Sequence, residues 1–196
     1  MHEMKTMTRP DPFPTIETER LILREITLDD LDWYMRHFSK REMVEGTGFP
    51  GPKDRKQAEE EMMLYIIDLF AKGDGFRWGI TLRGCDDLIG SCGFYKWTKT
   101  ESYRAEIGYD LDPECWGSGI MTEALSAMID FGFEKMGLNR VEAMIFLANE
   151  RSVALVKRLG FTLEGVFRER LYKDGEFADD ACFALLRREW SLSRGR

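Results

Sequence analysis

The chain has 196 residues, 43% of them apolar and 32% charged, with a formal net charge of −7. A soluble domain of this length buries roughly 70% of its unfolded surface and needs no covalent staple. The acidic balance, without a dense Lys/Arg run, argues against nucleic acid as a direct ligand and suits a cationic one, although modest acidity also serves solubility.

The opening "MHEMKTMTRPDPFPT" has no apolar core of the kind a secretory signal needs, and Pro10, Pro12 and Pro14 predict a disordered or extended lead-in over 1–15. A domain is expected over 16–190, with a tail at 191–196. "RLILREI" (20–26) reads as a first strand. Thr27 then caps a helix, with Asp30 at its third position and Leu31, Tyr34, Met35 and Phe38 at helical spacing. "EGTGFPGP" (45–52) reads as a loop. A second helix over 56–73 presents Met62, Tyr65, Ile66 and Leu69 and ends at Gly73.

Strands are predicted at 76–82, 88–97 and 103–111, the last stopped by Pro113. A helix over 121–137, a strand over 140–147 and a helix over 150–160 opened by Asn149 follow. Two final strands, 161–172 and 177–190, flank the turn "KDGE". Runs of strands followed by alternation with helices give a mixed α/β or α+β class. No stretch approaches 18 apolar residues, so no membrane span is expected. Cys85, Cys92, Cys115 and Cys182 form no C-x-x-C pair, and His2 and His37 are the only histidines. That spacing predicts neither a zinc site nor a disulfide framework, hence no metal and a reducing, cytoplasmic setting.

The stretch "ECWGSGIMTEAL" (114–125) places Gly117 and Gly119 between a strand and a helix. Glycine loses more backbone entropy on folding than any other residue, so the pair needs a reason. A helix N-terminus exposes unpaired N–H groups and about half a positive charge, and glycines let an anion come close. The loop is therefore built like a pyrophosphate cradle. It lacks the Lys-Ser/Thr of a phosphate-binding P-loop, and Thr122 stands where a dinucleotide fingerprint has its third glycine. On these residues alone a plain tight turn remains open.

Five segments carry a resemblance: "TERLILREITLDDLD", "IGSCGFY", "AEIGYDLDPECWGSGIMTEAL", "LNRVEAMIFLANERSVALVKRLGF" and "LEGVFRERLYKDGEFADDACFAL". In this order they resemble the GNAT N-acetyltransferases, in particular the RimJ/RimL-like subgroup that acetylates ribosomal-protein N-termini. The resemblance implies a twisted mixed sheet of about seven strands with helices on both faces, whose fourth and fifth strands splay to admit acetyl-CoA. It implies that backbone groups of Tyr109, Asp110 and Leu111 bind the pantetheine arm. It also implies that Gly117, Ser118, Gly119, Ile120, Met121 and Thr122, beside Trp116, cradle the pyrophosphate. The family pattern Q/R-x-x-G-x-G/A falls on Glu114, Gly117 and Gly119, with Glu114 replacing the usual Gln or Arg. Val156 stands where many relatives carry a tyrosine acid. The resemblance implies that Ser152 takes that role, as in the subgroup, and that Asn149 contacts the cofactor. The expected partners are acetyl-CoA and an amine acceptor, foremost a protein N-terminus, and a homodimer is common in such relatives.

Acetyl transfer needs a neutral amine, support for an oxyanion and a proton for the departing thiolate. Neutralising a lysine-type ammonium at pH 7 costs roughly 4.6 kcal/mol, an α-ammonium only about 1 kcal/mol. A carboxylate acting through water can meet the smaller need. Glu106, on the strand before the loop, is the first candidate base; a solvated polar-face residue is its plain alternative. Glu169 is the second, although the subgroup's late-strand carboxylate position falls near Leu171. Ser152 is the candidate acid, against a purely local hydrogen bond. A backbone N–H near Leu111 could serve the oxyanion. Cys115 reads as a structural cysteine rather than a nucleophile, with only His37 to pair with it. Trp33, Tyr34, Phe38 and Phe49 are candidates for lining the acceptor site, against plain core packing. A small-molecule amine acetyltransferase, a non-catalytic acyl-CoA sensor and a structural scaffold are the competing readings.

Overall fold

The computed structural model describes residues 12–47, 50–100, 102–173, 175–193 and 195. They form two compact units. One holds the residues up to Tyr95 together with Gly108–Met128; the other holds Lys96–Ile107 and the chain from Ile129 onward.

In the first unit, β1 (Ile16–Glu17), β2 (Leu21–Glu25), β3 (Phe76–Leu82) and β4 (Leu88–Thr98, through Tyr95) pair in that order. Leu21 opposes Leu82, Leu23 opposes Ile80 and Trp78 opposes Cys92. Alternation turns Leu21, Leu23, Phe76, Trp78 and Ile80 inward, where all are buried. β1 is the strand the sequence did not announce: Ile16 and Glu17 pair with Leu23 and Ile22, making eight strands among the described residues where about seven were expected. Phe13, within the predicted lead-in, packs edge-on against Phe70 at 4.8 Å, and Trp78 Nε1 donates to Pro14 O at 2.7 Å.

Thr27 and Asp30 form the expected capping box: Thr27 Oγ1 accepts from Asp29 N at 3.3 Å, and Asp30 accepts from Thr27 N at 3.0 Å. A 3₁₀ turn, Leu28–Asp30, leads into α1 (Leu31–Phe38). α2 (Arg41–Thr47) occupies part of the stretch read as a loop; its Met43 is buried, a tertiary contact that outweighs the local glycines. The long helix forms as α3 (Arg55–Met62), a π-helical turn (Met63–Ile67) and α4 (Asp68–Lys72), ended by Gly73 at φ +72°. Its buried residues are Ala58, Met62, Ile66 and Phe70. A four-residue interval overshoots the 3.6-residue turn of an α-helix, and the wider π turn takes up the surplus. Tyr65, predicted to face the core, is consequently exposed, and Leu69 is half-buried.

β5 (Arg104–Leu111) and α5 (Ile120–Glu134) each run through both units. In the second unit, β5, β6 (Arg140–Phe146), β8 (Glu176–Leu186) and β7 (Thr162–Lys173) pair in that order. β5 and β6 are parallel and the other two pairs antiparallel, so the sheet is mixed. The parallel ladder has only three pairs, Arg104 with Arg140, Ala105 with Val141 and Glu106 with Glu142. It stops there although β6 continues to Phe146. These are the fourth and fifth strands of the expected fold once β1 is set aside. α6 (Glu150–Arg158) follows β6. The predicted last strand, 177–190, ends at Leu186 and gives way to α7 (Arg187–Ser193). Glu189 accepts from Leu186 N at 3.0 Å, and Trp190 Nε1 donates to Asp130 at 2.6 Å while its ring meets Phe133. The Arg187 guanidinium donates to the carbonyls of Leu138 and Phe133. A first-turn acceptor and a side chain drawn to α5 favour the helix over continued strand.

Candidate active site

The glycine loop leaves β5 through a 3₁₀ turn, Pro113–Cys115. Gly117 and Gly119 have φ of +73° and +80°, a left-handed backbone that side-chained residues adopt only at a cost. A Cβ at Gly117 would meet nothing within 4 Å, and one at Gly119 only Arg20 Nη2 at 3.5 Å. The glycines are thus required by backbone conformation and leave the loop open above them. The first helical bond of α5 runs from Glu123 N to Gly119 O at 3.1 Å. The preceding amides, from Ile120 to Thr122, therefore have no carbonyl one turn back. Ile120 and Met121 bury their side chains, so their part in any cradle is their N–H groups. Trp116 Nε1 donates to Leu111 O at 2.8 Å, and Ser118 Oγ to Cys115 O at 2.5 Å, which fix the loop from within.

Arg20 is a cation that the sequence reading missed. Its Nη1 donates to Ser118 O at 3.0 Å and its Nε lies 2.6 Å from Glu123 Oε2. Thr18 Oγ1 also donates to Glu123, at 2.6 Å, so the first turn of α5 is tied to the β1–β2 connection. The guanidinium and Glu123 hold Gly119 in place from one side. Glu114 is exposed and pairs with Lys40 at 3.0 Å.

Behind the end of β5 lies a buried charged network, also missed. The Asp110 carboxylate meets Arg77 Nη2, Ser91 Oγ at 2.8 Å and His37 Nε2 at 2.7 Å. Arg77 Nε donates to Ser91 Oγ at 3.0 Å. The other imidazole nitrogen, Nδ1, lies 2.7 Å from Asp112 Oδ1, which also takes Lys40 Nζ at 2.8 Å. Burial alone would push the Asp110 pKa up, yet Arg77 and His37 hold it below the usual carboxylate range. The sequence signal was a lone histidine on the apolar face of α1 and two aspartates two residues apart.

Cys115 is half-buried; burial first, then Asp112 and Glu114, raise its pKa, which keeps it a thiol. All four cysteines are free, and no described group of three or more His, Cys, Asp or Glu side chains could hold a metal ion. No helix among the described residues is long and apolar enough to cross a membrane.

Trp33 and Tyr34 are buried with Ile26, Leu31, Ala58, Met62, Ile66 and Leu88, and Phe38 packs partly against them. Trp33 stacks on His37 at 4.8 Å, and Tyr34 Oη donates to Glu61 at 3.2 Å. These three rings are engaged in core packing. Phe49 lies outside the described residues.

In the second unit, Glu106 is partly exposed and accepts from Lys96 Nζ at 2.8 Å. Asn149 caps α6 by accepting from Ser152 N at 3.1 Å. That bond uses the backbone of Ser152 and leaves its hydroxyl on the half-exposed first turn. Val156 is fully buried, so no proton donor stands at that position. Glu169 is exposed at φ +53°, inside the irregularity between Phe167 and Leu171, with its N–H donating to Asp179 at 2.9 Å. Asp180, which the sequence reading passed over, is buried and 3.8 Å from Arg170. Pairing of Glu106 with Glu142, and of Phe146 with Asp180, puts Glu106 and Asp180 on one face of this unit's sheet.

A family profile described as "Acetyltransferase (GNAT) domain" matches residues 20–162. The chain belongs to the GNAT acetyltransferase family, and it is an N-acetyltransferase. It is 37% identical over 177 residues to the Uncharacterized N-acetyltransferase p20 of Bacillus licheniformis, covering 90% of this chain and 98% of that one. It is 29% identical over 191 residues to the [Ribosomal protein uS5]-alanine N-acetyltransferase of Escherichia coli, covering 93% and 96%. A spermidine N-acetyltransferase from Vibrio cholerae, solved in complex with CoA and spermine, shares the fold with a TM-score of 0.78 at 18% identity, over 88% and 99% of the two chains.

Proposed function

We propose that the protein transfers an acetyl group from acetyl-CoA to the α-amine of a protein N-terminus. The observation that carries the cofactor half is the open loop at Gly117 and Gly119, with unpaired amides at the start of a fifteen-residue helix. The acceptor half is supported by similarity along nearly the whole chain to an enzyme named for a ribosomal-protein alanine. In this reading Tyr109, Asp110 and Leu111 take the pantetheine arm through their backbone. Trp116 and the residues from Gly117 to Thr122 take the pyrophosphate, and Asn149 adds a contact.

Glu106, through a water, removes the proton of the incoming ammonium. The amine nitrogen attacks the thioester carbon and the C–S bond breaks; Ser152 Oγ–H gives its proton to the departing thiolate, and the proton shed by the acylated nitrogen restores the serine hydroxyl. Glu169 is the substitute base. An α-amine needs only about 1 kcal/mol of help at pH 7, within reach of one carboxylate held by one lysine. In this reading attack is direct, without an intermediate on Cys115, whose pKa burial raises.

Thiol release from acetyl-CoA tests the reading, with N-terminal peptides, polyamines and aminoglycosides as acceptors. Release favouring peptides is expected. Release favouring polyamines would move the acceptor to small cationic amines. CoA binding without release from any amine would leave an acyl-CoA sensor. Cytoplasmic placement and a homodimer go with this proposal; sedimentation with and without CoA tests the latter.

A further inference from the structure

We infer that His37 is a positioning residue for the acyl-CoA-binding end of β5: as an imidazolium clasped by Asp110 and Asp112, it fixes the backbone between them. This rests on the acetyl-CoA reading above, in which that backbone receives the pantetheine arm.

The geometry is specific. Asp110 and Asp112 flank Leu111, and both carboxylates lie 2.7 Å from one ring: Asp112 by a hydrogen bond at Nδ1, Asp110 by a charge contact at Nε2 that is not aligned as a hydrogen bond. A neutral imidazole has one N–H and one lone pair. It could satisfy one carboxylate and would oppose the other, so the ring that fits carries both protons. Burial favours the neutral ring, but Asp110 and Asp112 prevail and raise its pKa above the ordinary value. The ring is 1% exposed and stacked on Trp33, so water cannot replace these contacts.

Charged groups around the ring come from several elements, including Glu61 of α3 beyond Tyr34. β3 contributes Arg77, the turn after α1 contributes Lys40, and the end of β5 and its following turn contribute Asp110, Asp112 and Glu114. On β4, Ser91 is a hydroxyl and Cys92 a thiol whose pKa burial pushes up to about 12; Tyr34 is raised as well, first by burial. Against the effect of burial, Asp112 and Glu114 raise the Lys40 pKa above its ordinary value. Loss of a proton from His37 turns one 2.7 Å contact into a lone pair facing a carboxylate, beside the segment that binds the cofactor in this reading.

Without the histidine, Asp110 keeps Arg77 and Ser91, and Asp112 keeps Lys40.

The test combines two readouts on the full chain. With only two histidines, ¹⁵N-histidine NMR resolves the His37 ring, and calorimetric titration with CoA measures binding from pH 7 to 9.5. The wild-type ring is expected to hold both protons at pH 7.5, with CoA affinity falling as they are lost. His37→Gln is expected to bind CoA at least tenfold more weakly at pH 7, to fold with a cooperative transition at a lower Tm, and to lack that alkaline fall. Asp112→Asn is expected to move the fall to lower pH, a change that a purely structural role for the ring would not produce. A neutral ring at pH 7.5, or unchanged CoA affinity in folded His37→Gln, overturns the inference while leaving the acetyl-CoA reading intact. Failure of the wild-type chain to bind CoA overturns the reading and the inference with it.

Discussion

Lys96 and Glu106, on successive strands of one unit, join their side chains at 2.8 Å, and Lys96 adopts φ +50°. A non-glycine residue in that region is uncommon, and such residues gather at functional sites. The pair ties the Glu106 carboxylate to Lys96. Glu106→Gln should lower kcat for an N-terminal peptide at least tenfold at pH 7, with a small change in KM. The loss should shrink to a few-fold at pH 9, where an α-amine of pKa about 7.8 is already mostly neutral. A pH–rate series of both enzymes checks this; a loss that is constant with pH would remove Glu106 as the base.

Asn149 and Ser152 separate stability from chemistry within three residues. Asn149→Ala removes the bond to Ser152 N and should cost about 1 kcal/mol, a fall in Tm of about 2–4 °C. Ser152→Ala keeps that backbone bond. Its Tm should stay within about 1 °C of wild type, while kcat falls at least tenfold if the hydroxyl protonates the thiolate. Melting curves beside thiol-release kinetics give both numbers. Equal loss of Tm and activity in Ser152→Ala would make the serine structural.

Gly117 and Gly119 make a matched pair. Both have positive φ, and neither faces a side-chain clash, so alanine at either should cost about 1–2 kcal/mol through the backbone alone. If the loop cradles a pyrophosphate, KM for acetyl-CoA should rise well beyond that, at least tenfold, because the amides are re-aimed. Urea denaturation compared with CoA titration separates the two effects. A stability loss with unchanged CoA affinity would return the loop to a plain turn.

The parts of this fold legible in the sequence are those where local chemistry decides. The Thr27–Asp30 capping box, the Asn149 cap and Gly73 each satisfy backbone groups within a few residues, and the structure has all three. Less legible were elements set by distant contacts. α2 forms despite its glycine because Met43 is buried, α7 because Arg187 and Trp190 reach α5, and β1 because two residues find β2. The glycine loop was visible because its residues are contiguous. The His37, Arg77, Asp110 and Asp112 network was not, because its members come from three elements 75 residues apart at the widest. Trp33 and Tyr34, which the resemblance offered as acceptor-site rings against plain core packing, are buried on the inward face of α1.

Asp180 offers a test of pH dependence that is independent of catalysis. Its carboxyl is buried, and burial raises its pKa; Arg170 at 3.8 Å and the Ala181 N–H offset this only in part. A group whose folded pKa lies above its unfolded value adds stability below the unfolded pKa, near 3.9, and loses that contribution as pH rises through the folded one. At pH 7 to 8 the ionised side chain is therefore a liability to the fold. Asp180→Asn, which removes the charge and keeps the shape, should melt about 2 °C above wild type at pH 8, and the gap should close by pH 4. Arg170→Met should melt below wild type at pH 8 by a similar margin and match it at pH 4, since the cation helps only an ionised partner. Melting temperatures of the three proteins across that range decide the matter: an Asp180→Asn protein less stable than wild type at pH 8 would show that the carboxylate is held by more than Arg170, and that burial is not what governs it.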